Sequence, residues 1–357
     1  MRIRYESFRR TVLEDSAKTF SSTKDLDSYG RPDGVVLRIN GYEAFRMKYS
    51  FDSSNRISTK TSTLGGSPVI TVYTYNPDGQ LQSVKSDDGV DDWTFTHDVN
   101  GNVVGVKMAD NRINVGMDGG DRVVSYGDLD FVSYDDRGFV VRRGSQRYLY
   151  NAFGQMISAH EPGKFAVRFY YDDLGRIAAK RDHRGNVVQF VYSNPYSNST
   201  VSHVHYPKAS RTYHLLYDEN DFLVAMDTPD SRFYIASDHL GSPIAVFDYK
   251  GKLVKEIARS PFGRVTRDTN PGMDIPVDFA GGLVDQYAHL IHIGGRVYDP
   301  LLGQWMTPAW EKVGEVGSKS AFDIFAYRFF NNDPVNPGRN FFHMTGQLFY
   351  HIELVIN

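Results

Sequence analysis

His203 and His205 stand two residues apart, a spacing that on an extended strand puts both imidazoles on one face, where they could offer two ligands to a metal. No third ligand follows at a recognisable spacing, so the expectation is an exposed polar strand face and no metal site. His289 and His292 flank an apolar stretch and are expected to be structural histidines with satisfied nitrogens. Asp87-Asp88-Gly89-Val90-Asp91-Asp92 gathers acid around a glycine, but the ligand order and distal Glu of a calcium-binding EF-hand loop are missing, which leaves a solvated turn. No G-x-S-x-G, H-E-x-x-H or G-x-x-x-x-G-K-[ST] occurs, so a hydrolase, a zincin and a phosphate loop all lack their motif. No cofactor is expected. Asn198-Ser199-Thr200 is the one N-x-[ST] sequon; it sits in a Pro-, Ser- and Asn-rich stretch and would accept a glycan if the chain is secreted.

The most numerous candidate groups are aspartates, and their spacing says what they do. Tyr171-Asp172-Asp173-Leu174-Gly175-Arg176-Ile177 is the clearest copy of a seven-residue unit: an aromatic residue, Asp or Asn, two variable residues, Gly, a polar residue and an apolar one. The unit returns at residues 75–81, 97–103, 134–140, 150–156, 217–223 and 247–253, and in weaker form at 26–32, 51–57, 181–187 and 237–243. Asp or Asn caps backbone amides, and a glycine three residues later accepts a left-handed backbone, which together make a hairpin turn rather than a calcium or catalytic site. Gly79, Gly101, Gly138, Gly154, Gly175 and Gly251 are the expected turn glycines, with Asn55 and Asp221 as the tolerated substitutes.

The elements between turns are strands. Val69-Ile70-Thr71-Val72-Tyr73-Thr74-Tyr75 and Val187-Val188-Gln189-Phe190-Val191 are rich in β-branched and aromatic residues. Turn positions recur 22 residues apart from Gly79 to Gly101 and 21 from Gly154 to Gly175, room for two strands and two turns. The reading is an all-β array of hairpins, irregular but unbroken. Each unit buries its apolar face by stacking on its neighbours.

Composition narrows the function. A net charge of −3 with both signs interspersed gives no basic stripe for nucleic acid. Cysteine is absent, which excludes disulfides and cysteine-based zinc sites and leaves the compartment open. No apolar run approaches the ~20 residues of a membrane-spanning helix and the N-terminus has no leader pattern, so any anchor is expected outside this sequence.

Towards the C-terminus the pattern changes to Phe279-Ala280-Gly281-Gly282-Leu283, then Gly303-Gln304-Trp305-Met306-Thr307-Pro308, then Tyr327-Arg328-Phe329-Phe330-Asn331-Asn332-Asp333-Pro334. This order resembles the closing segment of the Rhs/YD-repeat superfamily. Leu290-Ile291-His292-Ile293-Gly294 and Trp310-Glu311-Lys312-Val313-Gly314 make the chain similar to the teneurin branch. The resemblance implies a YD-repeat segment over 1–278, a closing segment over 279–338 and a divergent tail over 339–357, forming part of a spiralling β-barrel shell. It further implies a non-enzymatic extracellular role in adhesion, signalling and neuronal development, on a single-pass membrane protein. The membrane anchor, EGF-like repeats and start of the shell would lie upstream. The partners so implied are latrophilin-like receptors, other teneurins, and a second copy joined through upstream regions. A carbohydrate-binding module is a further reading of the exposed rings.

The rival within the superfamily is a bacterial toxin-encapsulating shell that releases its cargo by aspartyl self-cleavage. Those relatives place one acid after the Thr-Pro of the closing strand and a second in an Asp-Pro beyond the Asn-Asn-Pro motif, so that two carboxyls divide one proton. Here Ala309 holds the first position, and Val335-Asn336-Pro337-Gly338 follows Pro334 without the second Asp-Pro. Asp333 is left without the expected acidic partner, and no cleavage is expected.

Overall fold

The computed structural model describes residues 1–129, 131–194, 200–309 and 327–336. It is built from antiparallel strands, with only short 3-10 turns such as Phe279–Gly281 and Phe330–Asn332 between them. No helix among the described residues is long and apolar enough to cross a membrane.

Twelve strands, from Arg2–Ser7 to Val123–Tyr126, form one sheet in which every strand pairs with its neighbour in sequence. Fourteen more, from Val132–Tyr134 to Val265–Asp268, form a second meander, and four from Leu283–Asp285 to Gln304–Trp305 form a small third sheet. No pairing closes either large sheet on itself among the described residues.

The array is therefore not one unbroken ladder. It breaks after Tyr126, where Gly127 takes φ +57° and the chain folds back through a single Tyr126–Leu129 bridge. The short flanking strands Val123–Tyr126 and Val132–Tyr134 leave too few ladder bonds to carry pairing across that bend.

Alternation along the strands places one face of each large sheet in a shared core. In Phe165–Tyr171 the residues Phe165, Val167 and Phe169 are buried while Arg168 and Tyr170 are exposed. The two sheets meet through Phe20 stacked on Tyr234, with ring centroids 4.4 Å apart, and Phe95 edge-on to Phe262 at 5.2 Å. The third sheet contributes a second cluster, in which Phe279, Tyr298, Trp305 and Phe329 pack with Leu240, Ile291 and Ile293.

Candidate functional site

The repeat itself is the largest constructed feature. In the unit at 171–177, Asp172 Oδ1 accepts from the backbone N–H of Leu174 at 3.0 Å and of Arg176 at 2.9 Å, while Gly175 N–H donates to the Asp172 carbonyl at 2.9 Å. Gly79, Gly101, Gly138, Gly154, Gly175 and Gly251 take φ between +77° and +88°, and Asn55 and Asp221 lie at +62° and +58°. Two of these glycines also admit a neighbour: a Cβ on Gly101 would strike Gln80 Nε2, and one on Gly138 would strike the Tyr327 hydroxyl.

Two roles in the unit went unread in the sequence. The first-position tyrosine donates its hydroxyl to the carbonyl of the seventh residue of the unit before it: Tyr75 to Ile57, Tyr150 to Val140 and Tyr171 to Met156, at 2.6 to 2.9 Å; Tyr192, just past the strand Val187–Val191, makes the equivalent bond to Ile177 at 3.1 Å. The sixth-position arginine pairs with its own aspartate and lies over the ring of the tyrosine that bonds the seventh carbonyl of its unit. Arg56 binds Asp52 and sits 4.4 Å from the Tyr75 centroid; Arg176 binds Asp172 and sits 4.3 Å from that of Tyr192. The period of aromatic and Arg positions was the available signal. Three further turns of the same form lie at 117–123, 259–265 and 277–283, beginning with Met, Arg and Val.

The closing segment 327–336 reaches back to both large sheets. Tyr327 donates its hydroxyl to the Gly138 carbonyl at 2.6 Å, Arg328 donates to the Asn100 carbonyl at 2.5 Å and to Asn102 Oδ1 at 2.7 Å, and Asn332 Nδ2 donates to the Gly101 carbonyl at 2.8 Å. Phe330, Asn331 and Asn332 have φ of +45°, +55° and +61°, a left-handed run that Asn tolerates better than other side-chain-bearing residues. That gives the paired asparagines of the motif a backbone reason.

Asp333 is buried, and every hydrogen bond its carboxyl accepts comes from an amide: Val335 N–H at 3.2 Å, Asn336 N–H at 3.2 Å and Asn336 Nδ2 at 2.9 Å. Burial pushes its pKa up to about 7 against those bonds. Asn336 also bridges the first sheet, accepting from Ile57 N–H at 2.7 Å and donating to the Tyr75 hydroxyl at 2.8 Å. Ala309, half-buried, brings no carboxyl. This is the geometry of a structural cap.

Three sequence expectations need correction. Asp87–Asp92 is not wholly solvated. Asp87 and Asp88 are exposed, but Asp91 is half-buried, and burial raises its pKa while Lys60 opposes the rise. Asp91 lines a cavity of about 310 Å³ with Lys60, Tyr73, Trp93, Asp238 and His239. Trp93 Nε1 and His239 Nδ1 make no protein hydrogen bond there, and the space and polarity suit water. Secondly, His292 lies inside the strand Leu290–Ile293 against the Phe169 ring, with Nε2 unpartnered; burial pulls its pKa down to about 4. Asp285 and Lys180 act on it from nearby without bonding it. His289 is exposed, at φ +55°. Thirdly, His203 and His205 are half-buried rather than exposed. No group of three or more His, Asp or Glu is placed to hold a metal among the described residues. Asn198, Trp310 to Gly314 and the tail beyond 336 lie outside the described residues.

The family model of the teneurin YD-shell matches residues 1–335. The chain belongs to the teneurin YD-shell family. Teneurin-m of Drosophila melanogaster is 44% identical over 339 residues, which is 95% of this chain and 12% of that protein. Human Teneurin-4 is 32% identical over 320 residues, 88% of this chain and again 12% of the relative. The YD-shell chain thus spans about an eighth of each. Among solved structures, the chain resembles "Crystal Structure of TcdB2-TccC3-Cdc42" with a TM-score of 0.69 at 14% identity, covering 94% of this chain and 19% of that one. It resembles the Photorhabdus luminescens Tc holotoxin pore carrying the TccC3-D651A mutation with a TM-score of 0.55, also at 14% identity, covering 91% of this chain and 21% of that one. At that identity the likeness is one of fold: a YD shell shares its hairpin array with these toxin components.

Proposed function

We propose that this chain is the non-enzymatic, extracellular YD-shell portion of a teneurin-like cell-surface receptor, acting in adhesion, signalling and neuronal development. The observation that carries the reading is the match to the teneurin YD-shell over residues 1–335, closing motif included. The partners are latrophilin-like receptors and other teneurins on apposed cells, with a homodimer formed through regions upstream. Two features weigh against the encapsulating, self-cleaving alternative: Ala309 brings no acid, and Asp333 is held by amide donors.

The test is adhesion between cells. Cells displaying the parent protein with this shell should aggregate with cells displaying a latrophilin-like receptor or a second teneurin, and deletion of 1–336 should reduce aggregation at matched surface level. Aggregation indifferent to that deletion with every partner tried would remove the proposed role.

A further inference from the structure

We propose that His203 and His214 form a surface site for a divalent transition-metal ion, with Zn²⁺ as its probe. The two residues lie directly opposite each other on the antiparallel strands His203–Tyr206 and Arg211–Tyr217, and their rings touch with centroids 4.4 Å apart at an interplanar angle of 62°. Val204, Tyr213 and Leu215 turn into the core, so alternation puts both imidazoles on the solvent face; His214 is exposed and His203 half-buried. Directly opposed side chains on adjacent strands are close enough to share one ligand.

One ring nitrogen of His203 is anchored. Nδ1 lies 2.9 Å from the Ser202 hydroxyl, which is itself held by the Val191 carbonyl and by Ser193. With Nδ1 engaged there, Nε2 is the nitrogen offered to a metal. A second ring nitrogen pinned by a hydrogen bond is the usual support of a ligating histidine. His214 makes no hydrogen bond among the described residues, which leaves its ring free to turn towards the same ion.

The neighbours set the limits of the site. Across the next strand His214 faces Asp227, whose two oxygens are held by Arg232 at 2.5 and 2.6 Å, so this carboxylate is engaged elsewhere. His205, one pair along the same face, is bonded through Nδ1 to Thr212 Oγ1 at 2.8 Å. Two imidazoles with water in the remaining positions make an exchangeable site on which the fold does not depend. Imidazole pairs favour Zn²⁺ and Cu²⁺ over Ca²⁺ and Mg²⁺, which prefer oxygen.

The experiment is calorimetric titration of the full chain, free of any histidine tag, with Zn²⁺ near neutral pH. One saturable site is expected, with no matching response to Mg²⁺. His214→Gln and His203→Gln should each abolish it, and Ser202→Ala should weaken it about tenfold or more by releasing the ring. His205→Gln and the remote His289→Gln should leave it intact. Melting curves in chelator control for folding, and His214→Gln, an exposed substitution, should melt like the unaltered chain. Zn²⁺ binding that persists undiminished in His214→Gln, or no saturable binding at all, would overturn the proposal.

Discussion

At the scale of single residues, the turn glycines and repeat tyrosines do separate jobs. Gly175 sits at φ +77°, where a β-branched side chain is strained, and Gln189 is exposed on a strand. Gly175→Val should lower stability by about 1 to 3 kcal/mol, and Gln189→Val should change it little; equal shifts in Tm would refute the assigned turn. Tyr171→Phe keeps the ring and removes only the hydrogen bond to the Met156 carbonyl, so a loss of about 1 kcal/mol is expected in urea denaturation. Two buried groups give the chain opposing pH dependences. His292, at about 4 in the fold, refuses a proton that the unfolded chain takes below about 6.5, so its contribution is lost as pH falls from that value towards 4. Asp333, at about 7, keeps a proton that the unfolded chain gives up above about 3.9, so its contribution is lost as pH rises from there to 7. Denaturation midpoints against pH should therefore show Asp333→Asn gaining on the unaltered chain as pH rises from 4 to 7, and His292→Gln gaining as pH falls from 6.5 to 4. Parallel curves would show that neither shift exists.

At the scale of elements, the hairpins were legible because a turn is written locally. Asp172 and Gly175 are three residues apart, and their chemistry alone specifies the loop. The break after Tyr126 was not legible, since it depends on how short strands and Gly127 combine rather than on any missing repeat. Nor was the burial of Asp91: it stands in an acidic run around Gly89, and Lys60 reaches it only through the fold. The lone nitrogen of His292 was hidden for the same reason, because Phe169 arrives from 123 residues away. The closing segment gives an element-level test. Arg328→Ala removes the guanidinium bonds to Asn100 and Asn102 and should speed hydrogen exchange in the 98–102 turn while the 172–176 turn keeps its protection. Uniform loosening of both turns would mean that Arg328 supports the whole core instead of that latch.

At the scale of the whole molecule, the chain is two meanders locked by a C-terminal segment, and the decisive chemical question is whether that segment is ever cut. Asp333 rests on amide donors, and the residue after Thr307-Pro308 is alanine, so acid and base roles have no pair of carboxyls to divide them. Intact-mass spectrometry should find the purified chain whole from mildly acidic to neutral pH. A spontaneous break between Asp333 and Asn357 that Asp333→Asn abolishes would make it a self-processing shell.

The tyrosine that reaches back to the seventh residue of an earlier unit gives the array a direction. Tyr171 cannot dock until Met156 is in place, and Tyr192 cannot dock until Ile177 is, whereas the earlier unit needs nothing from the later one for its own turn. A ribosome delivers the units in that order, so each new one meets a finished acceptor and the shell can grow as a zipper from the N-terminal side. The same one-way grip sets a grammar for length change. Removing one whole repeat of 21 residues, 157 to 177, would hand Tyr192 the carbonyl of Met156 in place of that of Ile177 and keep the chain in phase, while removing half of it would strand a ring without its acceptor.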